Sequence, residues 1–101
     1  KKGDFRFVVD DNAIYHTLSD FRSADARKKY QLLQQKEKDL DTMIDALDRV
    51  RAKYASGNQS TKSQLTPGIL DQEKRVKELR EEIARLTLDI RNTEIRKLKN
   101  P

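Results

Sequence analysis

The stretch that decides the fold is residues 24–55, ADARKKYQLLQQKEKDLDTMIDALDRVRAKYA. Its apolar positions are Ala26, Tyr30, Leu33, Leu40, Ile44, Leu47 and Tyr54, at successive spacings of 4, 3, 7, 4, 3 and 7. This heptad spacing predicts one long helix that buries a stripe against another helix. With Tyr30 at position a, the residues Ala26, Leu33, Leu40, Leu47 and Tyr54 fall at d. Glu37 and Arg51 then occupy a positions beside Ile44, and Met43 and Val50 at g widen the stripe. A charge at a specifies register or partner at a cost in stability; where the helices stand far enough apart it snorkels to water instead. Ser23 fits the N-cap, Asp25 complements the positive end of the helix dipole, and Ser56-Gly57 fits the stop.

Working outward, residues 56–66 (SGNQSTKSQLT) are polar and predict a loop. Asn58-Gln59-Ser60 matches the glycosylation triplet, a pattern common by chance. Thr66-Pro67-Gly68 then reads as a helix start, with Thr66 as N-cap and Pro67 at the first helical position, where its missing N–H costs nothing. Val76, Leu79, Ile83, Leu86 and Ile90 follow at 3-4-3-4 spacing; the pattern extends back to Gln72 and Ile69 and fades forward into Thr93 and Lys97. Leu88, Ile95 and Leu98 form a second stripe on another side of that helix. The expected fold is therefore all-α: an antiparallel two-helix coiled-coil hairpin over residues 24–101. Its helices run about 24–55 and 67–98, with a loop at 56–66.

Residues 1–23 read as an appendage of strand and short helix. Phe5-Arg6-Phe7-Val8-Val9 alternates and is β-prone, and Asp11 or Asn12 fits the cap of a short helix carrying Ile14, Leu18 and Phe21. No other segment near that end reads as a strand, and a lone strand is not stable. Either it pairs with another copy or it is not a strand. The hairpin also returns Leu88, Ile95 and Leu98 to the same end. Phe5, Phe7, Val9, Ile14, Leu18, Phe21, Leu88, Ile95 and Leu98 are thus candidate interaction residues, and a homo-oligomer is expected.

Composition bounds the chemistry. The chain has 101 residues, 39% charged and 35% hydrophobic, with 3 Gly, 2 Pro, 1 His and no Cys. So little Gly and Pro argues against a β-sandwich, no apolar run approaches a membrane span, and thiol chemistry and disulfides are excluded. His16 lies near Asp10, Asp11 and Asn12, but no nucleophile or second metal ligand accompanies it. No phosphate-binding loop or hydrolase motif occurs. The expectation is no catalytic residue, no cofactor, no metal and no enzyme. The role is then a structural or protein-interaction module, with a protein client or partner.

The net charge of +5 is spread along the chain, and the sequence pI is about 9.6. A hairpin brings Arg27, Lys28, Lys29, Arg91, Arg96 and Lys97 to one end, together with Lys1 and Lys2. This basic pole suits nucleic acid or an anionic surface. Asp4, Asp10, Asp11, Asp20 and Asp25 offset it at the same end, and no aromatics interleave it as a stacking platform. The reading is an alternative, not the favoured one.

The order of opening strand Phe5–Asp10, short helix, arm 24–55, polar loop and arm 67–98 resembles the first part of the Skp/OmpH-type periplasmic chaperones. The resemblance implies a holdase: a trimer gripping unfolded clients between helical arms in the bacterial periplasm.

Overall fold

The computed structural model describes residues 5–100 of the chain. Lys1, Lys2 and Asp4, which the sequence places at the basic end, lie outside the described residues. Strand β1 (Phe7–Asp10) and strand β2 (Ala13–Tyr15) are followed by a 3₁₀ turn at Leu18–Asp20 and by two long helices, α1 (Ala24–Ser56) and α2 (Gln59–Lys99). The two helices pack antiparallel, and the two strands form a hairpin of their own.

The chain divides into two compact units. A terminal unit holds the stretches up to residue 34 and from residue 84 onward, and a turn unit holds residues 35–83. Within the terminal unit Lys29 Nζ meets Asp89 at 3.0 Å. Within the turn unit Lys36 Nζ meets Glu82 at 2.8 Å and Arg51 Nη2 meets Glu73 at 2.7 Å. In each unit, position rises along α1 as it falls along α2.

The heptad reading of α1 holds where it matters. Ala26, Tyr30, Leu33 and Leu47 are buried, and Leu32, one place off the stripe, is 50% exposed. Ser23 caps α1, its Oγ accepting from Ala26 N at 3.2 Å, and Asp25 reaches Lys29 at 3.3 Å. Arg51, a charge at a, is used between helices in its ion pair with Glu73. Glu37 stays exposed. Loss of water around its carboxyl, and then the charge of Asp41, raise its pKa.

Three expectations need correction. The loop at 56–66 is a two-residue connection, Gly57-Asn58, because α2 begins at Gln59 rather than at Pro67. Asn58, not Thr66, caps α2: its Oδ1 accepts from Thr61 N at 2.9 Å. Gly57 is required by a close approach, since a Cβ there would meet Thr61 Cγ2 at 2.7 Å and Lys53 O at 3.1 Å. Pro67 consequently stands inside α2. It offers no N–H to the carbonyl four residues back, while Thr66 Oγ1 turns inward to bond Lys62 O at 2.7 Å. Polar composition hid this first stretch of α2, whose half-buried Leu65 and Ile69 continue the 3-4 spacing backward.

The second correction concerns the lone strand. β1 pairs inside its own chain with β2, antiparallel, with Phe7 opposite Tyr15 and Val8 opposite Ile14, and an irregularity between Val8 and Asp10. The third follows from it. The short helix expected to carry Ile14, Leu18 and Phe21 is β2 plus a single 3₁₀ turn. The turn is held by Asp20, whose Oδ2 accepts from His16 N at 2.8 Å and Thr17 N at 3.1 Å. Those two bonds keep the Asp20 carboxyl below its ordinary pKa.

Candidate functional site

In the terminal unit the expected interaction residues separate into covered and uncovered sets. Phe7, Val9 and Phe21 are buried with Tyr15 and Tyr30. Their rings meet at 5.0–5.5 Å between centroids, Tyr15 edge-on to Phe21 and Phe7 edge-on to Tyr30. Phe5 adds itself to Tyr30 at 4.9 Å. The alternation of β1 buries Phe7, against Tyr30 of α1, and Val9, and leaves Val8 outward. The aromatic stripe offered as a contact with a second copy is therefore the internal core of this unit. Leu18 and Ile95 are half-buried, whereas Ile14, Leu98 and Leu88 (56%) are exposed. The Leu88, Ile95 and Leu98 stripe is covered only in part.

The side chain that organises this unit is one the sequence reading missed. Glu94 on α2 is 0% exposed. Its Oε2 accepts from Tyr15 Oη at 2.5 Å and from Arg22 N at 2.7 Å, and its Oε1 accepts from Ser23 N at 3.1 Å. A buried carboxylate is tolerated when several donors satisfy it, and here it also faces the positive end of α1. Burial, then the hydrogen bond to Glu94, then its charge, push the Tyr15 phenol well above its ordinary value. The available signal was the point where the α2 apolar spacing stops, at Thr93-Glu94, while the helix continues. Both residues are buried.

The basic pole is half committed to the same structure. Arg27 donates from Nε to Leu18 O at 3.2 Å and from Nη2 to Phe21 O at 3.0 Å. Lys29 bridges Asp25, Asp89 and Thr93 Oγ1, and the two carboxylates, Asp89 first, raise its pKa. Arg91 donates from Nε to Val8 O at 2.9 Å and lies 5.7 Å from the Phe7 ring centroid. Lys28, Arg96 and Lys97 remain exposed. His16 is exposed and its backbone serves Asp20. Among the described residues, no group of three His, Asp or Glu stands close enough to hold a metal, and no helix is long and apolar enough to cross a membrane.

The turn unit has a different character. Of its seam residues only Leu47 and Val76 are buried, while Leu40, Met43, Ile44, Val50, Tyr54, Leu65, Ile69, Leu79 and Ile83 are half-buried. Gln72, which interrupts the apolar spacing, has a buried Oε1 that no donor among the described residues reaches. Toward the turn, an open groove of about 310 Å³ is lined by Tyr54, Thr66, Ile69 and Leu70 and flanked by the Arg51–Glu73 pair. Leu70 is 61% exposed. Lys62 stacks its ammonium 5.5 Å from the Tyr54 ring centroid. Comparison with family models, with curated proteins and with solved structures finds no match for this chain.

Proposed function

We propose that this chain is a non-enzymatic protein-interaction module that presents the partly open apolar side of a helical hairpin to a protein partner. One observation carries the reading: in the turn unit two apolar seam residues are buried and nine are left half-buried. Two helices alone cover only part of an apolar stripe, and partner helices or extended segments supply the remainder. The groove beside the exposed Leu70 adds apolar surface between charged flanks, the arrangement of a binding patch with a polar rim.

The sharper version is a holdase-like chaperone of the Skp/OmpH kind, with the coiled-coil arms as the client-holding element. Self-association belongs to the same proposal. The surface left for it is around the exposed Leu88 rather than Phe7, Val9 and Phe21. The test is a light-scattering assay in which a denatured, reduced model protein is diluted into buffer with and without the chain. Suppression of aggregation, weakened in Leu70→Glu, is the expected result. No suppression at several-fold molar excess contradicts the holdase reading.

The second reading is anionic-surface or nucleic-acid binding through Lys28, Arg96 and Lys97. It is the weaker one because Arg27, Lys29 and Arg91 already have partners in the fold. Duplex DNA titrated across a salt series separates it: binding that persists above physiological salt favours this reading over the first.

A further inference from the structure

Among the described residues β2 has β1 as its only strand neighbour, so its outer edge is not paired with another strand. Val8 O accepts from Arg91 Nε, so it points away from β2. In antiparallel pairing, hydrogen-bonded and non-hydrogen-bonded pairs alternate, and both members of a non-hydrogen-bonded pair turn their backbone groups outward. Val8 stands opposite Ile14. Ile14 therefore directs its N–H and C=O away from β1, along the free edge of β2. The flanking donors on that edge are already taken, because Asn12 N donates to Asp10 Oδ1 at 2.8 Å and His16 N to Asp20 Oδ2 at 2.8 Å. Ile14 lies between them with an exposed side chain, and an open cleft of about 620 Å³ is lined by both β2 and Leu98. Ile14 and Leu98 give the cleft its exposed apolar wall, and Asp10 and Asp20 against Arg22 give it a net negative lining.

We propose that this edge binds an extended, basic peptide segment of a partner protein, added as a third strand beside β2. Its central residue pairs with the N–H and C=O of Ile14 and lays an apolar side chain toward Ile14 and Leu98. Basic side chains on either side face Asp10 and Asp20. Strand addition of this kind takes affinity from the main chain and selectivity from the flanking side chains. A second copy of this chain is a poor occupant. Two β2 edges paired about Ile14 place Asn12 opposite His16 of the other copy, which brings Asp10 toward the Asp20 carboxylate of that copy, and like charges across a strand pair repel. The inference does not rest on the turn-unit reading, and its failure leaves that reading standing.

The test is an NMR titration of the ¹⁵N-labelled full chain with three capped pentapeptides. One is Lys-Thr-Val-Thr-Lys, the second its Glu-for-Lys counterpart, and the third the basic peptide with its central valine N-methylated. The basic peptide is expected to shift the amides of Ile14 and its neighbours. The other two should bind about tenfold or more weakly, the size of effect that one charge-assisted or main-chain hydrogen bond carries. Ile14→Pro removes the outward N–H, and the isoleucine side chain with it, at an edge position that tolerates proline, and should abolish these shifts. Should that variant fail to fold, the N-methylated peptide tests the same main-chain pairing on the parental chain, by removing the donor to the Ile14 carbonyl. Equal binding of all three peptides, shifts confined to residues 35–83, or no binding of the basic peptide at millimolar concentration overturns the proposal. So does concentration-dependent self-association through β2.

Discussion

The terminal unit and the turn unit are built from the same two helices and close their cores to different degrees. The terminal unit holds Phe5, Phe7, Tyr15, Phe21 and Tyr30, and the turn unit holds Tyr54 alone of the six aromatic residues. In the first, the β1–β2 hairpin and the segment after the 3₁₀ turn bring Phe7 and Phe21 against Tyr30 of α1, and Ala26, Leu33 and Ile90 are buried as well. In the second, the helices have only each other, and most of the seam stays half-buried. The difference teaches that a heptad stripe specifies which side of a helix is apolar but not how much of it is covered. Coverage depends on what else the chain can lay against the pair. Polar groups follow the same division. Glu94 in the terminal unit has three donors, whereas Gln72 Oε1 in the turn unit has none among the described residues.

The largest expected effect lies in the covered unit. Phe21→Ala, at 2% exposure and in contact with three rings, should lower unfolding free energy by about 3–5 kcal/mol in a urea titration. A loss no greater than that of an exposed apolar residue would break the contrast. In the open unit, Leu47→Ala should cost about 2–3 kcal/mol, at the low end of the core range because the surrounding seam is already partly wet. Leu32→Ala, off the stripe, should stay within about 0.5 kcal/mol of the parent. If Leu32 proves the more sensitive of the two, the heptad register is wrong. Pro67→Ala should stabilise the turn unit by about 2 kcal/mol by restoring a main-chain donor inside α2, seen as a raised thermal midpoint. No gain would mean that the helix does not run through residue 67.

A small effect at neutral pH, and the most specific, concerns Tyr15. Its phenol is held protonated in the folded chain by burial and by Glu94, whereas the unfolded phenol ionises near 10.0. The unfolded chain therefore releases a proton first as the pH rises, and the stability this group contributes is full below that value and declines above it. Tyr15→Phe should cost about 1 kcal/mol at neutral pH. It should also flatten the alkaline decline, measured as unfolding free energy against pH.

The long elements were legible because a 3.6-residue period repeated over many turns is a strong signal. Ala26, Leu33, Leu47, Val76 and Ile90 stand inside as their spacing requires. The start of α2 was not legible. Pro67 fits a helix start so well that the polar stretch before it looked like a loop, yet the cap is Asn58 and the close approach at Gly57 sets the turn. Strand β2 was hidden for another reason. Three residues carry no period, and Ile14, Leu18 and Phe21 happen to stand at helical spacing. The Glu94 cluster joins residues more than seventy positions apart, and no local pattern marks a charge that long-range donors satisfy.

Native-state amide hydrogen exchange tests the central claim most directly, because it reads the stability of each segment in one intact chain. The account predicts that the helical amides of 26–34 and 86–94 exchange only through global unfolding. Those of 40–54 and 62–80 should exchange through a partial opening about 2 kcal/mol less costly. Equal protection along both helices, or stronger protection in residues 40–80 than in residues 26–34, would contradict it.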